Sequence, residues 1–201
     1  MIIVDIETTG LDPTKNSIVS IGALDFSNPE NQFYGECRPL DGTVIDKKAL
    51  EINGFSAEDL NRKNKSCQEL TEEFLNWAEK IEEKILAGEN VWLDAGFLKK
   101  SAERIDRKWN FGHRLFDLHT LSYFHHLLQN KDLIKKKSNL SLDETLKYVG
   151  LPQEPRPHNA LTGTKMEAEA FSRLIYKKNF LKEFKKYPLP NYLKIKSNQK
   201  K

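Results

Sequence analysis

Residues 1–10 read MIIVDIETTG, and this stretch decides the fold of the 201-residue chain. The pattern predicts an apolar β-strand that carries Asp5 and Glu7 and ends in a Thr-Thr-Gly turn. Because side chains two apart on a strand point to the same face, the two carboxylates are expected to lie together. Carboxylates repel each other unless a cation lies between them, and their oxygens suit Mg²⁺ or Mn²⁺. The stretch therefore predicts a metal-binding edge, the alternative being an edge strand whose acids face water.

Length and composition predict one globular domain with a sizeable core. Hydrophobic residues make up 38% of the chain, and no stretch has the length and apolarity of a membrane span. We expect no signal peptide, because the acidic strand begins at Ile2 with no basic region before it. Cys37 and Cys67 are too few for a disulfide framework and are not spaced as a zinc site. These features predict a cytoplasmic protein that does not interact with membranes.

The net charge of +3 is unevenly distributed. Residues 177–201 contain nine lysines and one glutamate, a net charge of about +8, so the preceding residues carry about −5. We predict a domain over residues 1–178 and a basic C-terminal tail over residues 179–201. A basic tail beside an acidic body suits a partner with a phosphate backbone. The alternative for residues 194–201 is a solubilising end, and aromatic residues earlier in the tail are expected to pack on the domain.

Hydrophobic patterning predicts an antiparallel meander followed by alternating helices and strands. Strands are predicted at the N-terminus and over residues 18–26, 32–39 and 89–93, with a strand end at residue 115. Helices are predicted over residues 46–51, from Ser56, and over residues 66–85, 97–108, 141–149 and 164–177, with another running to residue 128. The triple-lysine run at residues 135–137 is expected to be a loop. This order predicts an α/β layered sheet.

Two further segments join the first in a recognisable order. Residues 87–98 carry Asp94 where a strand is expected to give way to a helix, and residues 157–163 read PHNALTG and carry His158. Taken alone, Asp94 is an ordinary helix N-cap and His158 a surface residue. Read together with residues 5–11, DIETTGL, they resemble the DEDDh-type 3′-to-5′ exonuclease family, the group that contains RNase T and proofreading subunits. The family places a fourth acid five residues after the His, where this chain has Gly163.

The resemblance implies an RNase H-like mixed sheet, in which an antiparallel meander and parallel strands are flanked by helices. It also implies hydrolysis of single-stranded DNA or RNA from the 3′ end to nucleoside monophosphates, with two Mg²⁺ or Mn²⁺ ions. Asp5 would bridge the ions, Glu7 would hold the ion that activates water, and Asp94 would support the other. His158 would be the general base.

The resemblance further implies a set of residues around the terminal nucleotide. These substrate-binding residues are Thr8, Thr9, Gly10, Leu11, Asn53 and Phe55. The ordinary alternative is that Leu11 is an exposed loop leucine and that Asn53 lies in a loop between two short helices. Asp117 and His119 lie in another family-like segment, and we interpret them as structural because nothing in their spacing converges on the acidic strand.

Gly163 leaves three explanations open. Glu167 lies four residues further along the same helical face and would reach back toward the missing position, a role for which Glu169 is turned too far away. Alternatively, water fills the position and one ion is weakly held. The third explanation is that the chain is a degenerate exonuclease-like domain, which binds nucleic-acid 3′ ends or a protein partner. The resemblance leaves both a monomer and a homodimer open.

Overall fold

A computed structural model describes residues 1–129, 138 and 140–194 of the chain. In this part of the chain five strands form one mixed sheet in the order β3-β2-β1-β4-β5. The strands are β1 (Ile2–Thr8), β2 (Ile18–Asp25), β3 (Gln32–Glu36), β4 (Leu86–Gly88) and β5 (Leu115–Asp117). The first three pair antiparallel, whereas β4 and β5 continue the sheet parallel to β1. The predicted meander followed by parallel strands is confirmed.

Helices pack on both faces of this sheet. They are α1 (Lys47–Asn53), α2 (Ala57–Asn61), α3 (Cys67–Glu79), α4 (Trp92–Arg104), α5 (Leu118–Gln129), α6 (Leu142–Tyr148) and α7 (Ala160–Tyr176). Ser66 before α3 and Ser141 before α6 each form a capping box with the glutamate three residues later. These reciprocal hydrogen bonds satisfy backbone N–H groups that a helix start leaves free, which explains why both starts were predictable.

Side chains alternate along β1 and enter two hydrophobic cores. Ile2 and Ile6 pack with residues of α3 and α4 on one face, while Ile3 packs with residues of α7 on the other. This is the alternation expected for a strand that is covered on both faces. Asp5 and Glu7 have the parity of Ile3 and therefore share the face covered by α7.

The predicted strand over residues 89–93 and the predicted helix over residues 97–108 are wrong in position. The strand is Leu86–Gly88, and α4 already begins at Trp92. Backbone pairing with β1 decides the strand, since Ile2 lies opposite Leu86 in the parallel register. Asn90 has a φ of 50°, in the left-handed region that does not continue a strand. Val91 and Leu93 pack on the core from the N-cap and first turn of α4 instead, whereas Trp92 is exposed.

The last long helix begins at Ala160, four residues before the predicted start. Asn159 is the N-cap, and its Oδ1 accepts a hydrogen bond from the Thr162 N–H at 3.1 Å. Gly22 of β2 allows the helix to approach the sheet, because a Cβ at residue 22 would lie 2.3 Å from the carbonyl carbon of Ala160. Gly22 is the partner of Asp5 in the β1–β2 register. The first turn of α7 is therefore next to Asp5.

The chain folds back onto the second core after α7. Leu181, Phe184 and Leu193 are buried there, and two short 3₁₀ helices cover Lys182–Phe184 and Asn191–Leu193. The aromatic side chains of the predicted tail that the structure describes thus include core residues. Residues 195–201 and the predicted loop at residues 135–137 lie outside the described residues. In the described part, no helix combines the length and apolarity needed to cross a membrane.

Candidate active site

Three acidic side chains meet where β1 ends. Asp5 and Glu7 lie at this end of the strand, and Glu7 is buried. Asp94 lies in the first turn of α4, where its Oδ1 accepts a hydrogen bond from the Ile6 N–H at 3.1 Å. Val91, not Asp94, is the N-cap of α4, so the capping alternative for Asp94 is wrong. The Asp94 carboxylate is instead hydrogen-bonded to β1 at Ile6, the residue between Asp5 and Glu7.

Burial and mutual repulsion shift the protonation of these carboxyl groups. Burial raises the pKa of Glu7 to about 8, with further contributions from Glu154 and Asp94. Burial also raises the pKa of Asp94 to about 7 and that of Asp5 well above its ordinary value, where Asp94 adds most of the repulsion. No lysine or arginine of the described residues forms a salt bridge with any of the three. The acidic edge thus lacks a cationic partner from the described protein.

Glu167 reaches the same acidic cluster from α7. Its side chain is buried, and its Oε2 has no hydrogen-bond partner among the described residues. This oxygen would lie 3.1 Å from a Cβ placed on Gly88, which puts it over the end of β4. Burial raises the pKa of Glu167 well above its usual range, and repulsion from Asp5 and Asp94 adds to the rise. Glu167 therefore approaches the cluster from the side of β4.

Glu169 has a structural role that excludes it from the acidic edge. Its Oε1 accepts from Arg173 Nε at 2.8 Å, and its Oε2 accepts from the N–H groups of Phe180 and Leu181, each at 2.9 Å. Both charged side chains are fully buried. The prediction that Glu169 does not replace the missing acid agrees with these contacts.

Gly163 packs directly against Asp5. A Cβ on Gly163 would lie 2.1 Å from Asp5 Oδ2 and 3.2 Å from Oε1 of a further acid, Glu154. The family pattern thus places its fourth acid at the acidic edge, and this chain has a glutamate from a different segment beside the same position. Glu154 is not predicted from the sequence, because no motif or spacing singles out one acid in the proline-rich loop at residues 152–157.

Glu154 lies in direct contact with the predicted base. Its Oε2 is 3.5 Å from His158 Nδ1, and its side chain is only 7% exposed. Its Oε1 is buried without a hydrogen-bond partner in the described residues. Burial raises the pKa of Glu154 to about 7, with repulsion from Asp143 adding to the rise and Arg156 opposing it. Glu154 therefore joins the acids of β1 to the histidine.

The backbone on both sides of His158 is fixed. The His158 N–H donates to the Ile52 carbonyl oxygen at 3.1 Å, which ties the loop to α1. Pro157 packs on Gly54, where a Cβ would lie 2.3 Å from the proline Cβ. Burial lowers the pKa of the His158 imidazole, and the neighbouring Arg156 lowers it further. The lowered pKa favours the neutral imidazole, the state in which the ring can accept a proton.

Four of the predicted substrate-binding residues build the turn after β1 and its support. Thr9 Oγ1 donates to the Val44 carbonyl oxygen at 2.9 Å, and Thr8 Oγ1 donates to the Gly10 carbonyl oxygen at 2.6 Å. Asn53 Nδ2 donates to the Thr8 carbonyl oxygen at 3.2 Å, so α1 is linked to the same turn. These contacts explain how the turn keeps its shape beside the acids.

The other two predicted substrate-binding residues present apolar surface near this turn. Leu11 is 76% exposed, so its apolar side chain faces solvent. Phe55 is half-buried, and its N–H donates to Asn53 Oδ1 at 3.2 Å. Both residues are thus connected, directly or through one neighbour, to the turn that follows Glu7.

Asp117 and His119 make contacts that agree with their structural interpretation. Asp117 Oδ1 accepts hydrogen bonds from the N–H and the hydroxyl of Thr120 in the first turn of α5. His119 Nε2 lies 2.9 Å from Ser138 Oγ. None of these contacts involves a carboxylate of β1.

The donor set fits a hard divalent cation. It consists of carboxylate oxygens, among which Glu154 Oε1 and Glu167 Oε2 are buried with no donor in the described part of the chain. Within residues 1–129, 138 and 140–194, no three His, Cys, Asp or Glu side chains are already arranged to hold an ion. A bound cation would therefore have to draw these side chains toward a common centre.

The mixed five-stranded sheet and its flanking helices match the RNase H-like fold of solved exonuclease structures. The nuclease domain of 3′hExo, a DEDDh family member bound to rAMP, aligns with a TM-score of 0.65 over 94% of both chains at 18% identity. The zinc-bound E. coli ExoI–ssDNA complex aligns with a TM-score of 0.70 and 16% identity over 88% of this chain and 40% of that one. At these identities the likenesses concern the fold.

The family model for the RNase T exonucleases matches residues 2–171, so the chain belongs to this family. A PolC-type DNA polymerase III from Thermotoga maritima is 29% identical over 177 residues, which are 87% of this chain and 12% of that protein. Ribonuclease T from Histophilus somni is 24% identical over 204 residues, covering 93% of this chain and 87% of the relative. The chain thus spans about an eighth of the PolC-type relatives and most of the length of ribonuclease T.

Proposed function

We propose that this chain is a divalent-metal-dependent 3′-to-5′ exonuclease that hydrolyses single-stranded DNA or RNA ends to nucleoside monophosphates. One observation carries the proposal: Asp5, Glu7 and Asp94 converge at the end of β1 without a basic partner among the described residues. His158 reaches the same edge through Glu154. Membership of the exonuclease family supports the reaction class, and the ssDNA complex of ExoI supports the substrate class.

The carboxylates and the histidine would have separate tasks. Asp5, Glu7 and Asp94 would hold Mg²⁺ or Mn²⁺, which when bound supplies positive charge to orient water and to stabilise the leaving 3′ oxygen. His158 would take the proton of the attacking water as general base. Its Nδ1 faces Glu154, so an Nδ1–H donated to this carboxylate leaves Nε2 as the proton acceptor.

The turn after β1 would receive the terminal nucleotide. Leu11 presents an exposed apolar side chain, which would pack on the last base. Thr8, Thr9, Gly10 and Asn53 hold the turn in place, and Phe55 adds apolar surface beside it. Apolar packing on a base does not depend on its identity, so this arrangement favours degradation without strong sequence preference.

A second candidate function rests on Gly163. The family's fourth acid is absent from this position, and the α7 backbone packs against Asp5 in its place. A domain that loses one ion would retain the surface for a 3′ end but would lose turnover. The alternative is therefore a degenerate exonuclease-like domain that binds nucleic-acid 3′ ends without cutting them.

The two functions are separated by following a 5′-labelled single strand, as DNA and as RNA, with Mg²⁺, Mn²⁺ or chelator. We expect a ladder that shortens from the 3′ end, that requires the metal, and that Asp5→Ala abolishes. Glu82→Ala, which changes an exposed acid outside the three motif segments, is the matched control and should leave the ladder intact. Binding of the labelled strand without a ladder in either metal would favour the degenerate domain.

A further inference from the structure

Glu154 lies beside the position that the fourth acid would occupy. A Cβ on Gly163 would be 2.1 Å from Asp5 Oδ2 and 3.2 Å from Glu154 Oε1. A side chain added at residue 163 would therefore enter the space between these two carboxylates. In this chain Glu154, from the loop before α7, brings a longer side chain to the same place.

The Glu154 carboxylate is buried in a way that calls for a cation. Its side chain is 93% shielded from solvent, since only 7% is exposed. Oε1 has no hydrogen-bond partner in the described residues, although a buried carboxylate oxygen is normally paired. Arg156 lies close enough to oppose the rise in the Glu154 pKa, but the described residues show no salt bridge between the two. A metal ion would satisfy this oxygen.

The loop that carries Glu154 is held from two sides. The Glu154 N–H donates to Asp143 Oδ1 at 3.1 Å, and four residues later the His158 N–H donates to the Ile52 carbonyl oxygen at 3.1 Å. These bonds tie the loop to α6 and to α1. A carboxylate anchored in this way has little freedom to turn outward to water.

We propose that Glu154 supplies the metal-binding carboxylate that Gly163 lacks. Its Oε1 binds the water-activating cation together with Glu7 and Asp5, and its Oε2 accepts a hydrogen bond from His158 Nδ1. One side chain thus replaces the missing ligand and orients the base toward the water held by that ion. This inference rests on the proposed exonuclease function and names the ligand set of its metal site.

The packing around Gly163 favours Glu154 over Glu167 for this ion. The three atoms nearest to a Cβ at residue 163 belong to Asp5 and Glu154, and none belongs to Glu167. Glu167 Oε2 instead lies 3.1 Å from a Cβ placed on Gly88, at the end of β4. Glu154 is therefore the glutamate that lies beside the position of the family's fourth acid.

The test is Mn²⁺ binding to the full chain without nucleic acid. Calorimetry and the electron paramagnetic resonance signal of free Mn²⁺ measure this binding. We expect two Mn²⁺ per wild-type chain, and at least a tenfold weaker affinity for one of them in Glu154→Gln. Glu82→Gln should bind both ions like the wild type. Glu154→Gln is isosteric and removes a buried charge, and thermal unfolding in chelator checks that it stays folded.

The double variant Glu154→Gln/Gly163→Asp provides the positive test. The Cβ of the introduced aspartate would lie 2.1 Å from Asp5 Oδ2, so the Asp5 carboxylate has to turn aside to admit it. Once admitted, the new carboxylate lies at the acidic edge, and we expect it to restore the binding of the weakened ion. Unchanged stoichiometry and affinity in folded Glu154→Gln would overturn the proposal, as would loss of the same ion in Glu167→Gln alone. The ladder assay with wild-type chain reports separately on the function: Glu154-dependent Mn²⁺ binding without a ladder would refute the exonuclease and not the ligand.

Discussion

At the level of single residues, the site separates metal binding from proton transfer. The β1 acids have no basic partner among the described residues, whereas His158 has its Nδ1 against Glu154 and its backbone tied to α1. A residue that only moves a proton can be removed without changing the charge that attracts the ions. The two roles therefore predict different effects of substitution on turnover and on metal affinity.

His158→Asn should abolish most of the turnover and leave Mn²⁺ binding intact. Removal of a general base lowers the rate by roughly 10²–10⁴-fold. The comparison is between single-turnover rates on a labelled strand and calorimetric Mn²⁺ titrations of the same preparation. A variant that loses an ion together with its activity would show that the histidine is a ligand or holds the ligands in place.

Stability of the metal-free protein should fall as pH rises from about 5 to about 8. The folded state raises the pKa of Glu7 to about 8 and those of Asp94 and Glu154 to about 7, from ordinary values of 4.5, 3.8 and 4.5. Between these limits the folded chain keeps protons that the unfolded chain has released. Stability then decreases with rising pH, because the unfolded state binds fewer protons. This contribution is complete below about pH 4 and absent above about pH 8.

A divalent cation should reverse this trend. Metal binding requires ionised carboxylates and therefore strengthens as pH rises through the same range. Thermal unfolding at pH 5 and pH 8, in chelator and in saturating Mg²⁺, tests both statements. The explanation would be wrong if chelated protein were equally stable at both pH values, or if Mg²⁺ stabilised it more at pH 5.

At the level of secondary-structure elements, the site depends on how closely α7 approaches β1 and β2. Gly22 lies opposite Asp5 in the sheet, and only its missing side chain leaves room for the backbone of Ala160. The same approach brings Gly163 against Asp5. The distance between helix and sheet thus sets the distance between the β1 acids and the residues around the start of α7.

Gly22→Ala should destabilise the domain, because the added methyl group meets backbone atoms that have no room to move. Overpacking of this kind costs about 1–3 kcal/mol. Gly96→Ala in α4 is the control: nothing lies within 4 Å of its added Cβ, and alanine favours a helix by roughly 0.8–1 kcal/mol over glycine. Urea unfolding of the two variants measures the difference. Equal effects would show that α7 does not pack on residue 22 in this way.

Local patterns in the sequence were sufficient for the elements whose own residues decide their structure. The alternation in β1 predicted its two faces, and the serines before α3 and α6 marked both helix starts. The strand Leu86–Gly88 was misplaced because pairing with β1, and not local preference, selects it. Glu154 was missed for the same reason. Its position beside Gly163 arises from the packing of a loop against α7, which no spacing along the chain encodes.

At the level of the whole molecule, one buried ion pair fastens the chain after α7 to the rest of the domain. Arg173 donates to Glu169, to the Val149 carbonyl oxygen at 2.9 Å and to the Tyr187 carbonyl oxygen at 2.8 Å. Glu169 in turn accepts from the backbone N–H groups at the start of the returning segment. The pair thus connects α7, the end of α6 and the segment that carries Leu181 and Phe184.

Arg173→Met should destabilise the whole domain, because it leaves Glu169 charged and buried without its partner. Breaking a buried pair on one side costs about 3–5 kcal/mol. The double variant Glu169→Gln/Arg173→Met removes both charges and should recover part of this loss. Lys182→Met, which breaks the exposed pair between Lys182 and Glu30, is the control and should cost less than about 1 kcal/mol. Chemical denaturation followed by both tryptophan fluorescence and circular dichroism measures all three.

The two probes also decide whether the effect is global. If the buried pair joins the returning segment to the common core, both probes should report one transition that moves to lower denaturant in Arg173→Met. The side chains of Leu181, Phe184 and Leu193 belong to the core that covers β1 on the side of the acids. Loosening this core should therefore weaken Mn²⁺ binding in Arg173→Met as well. A separate early transition with unchanged Mn²⁺ affinity would show that the segment unfolds alone and does not support the acidic edge.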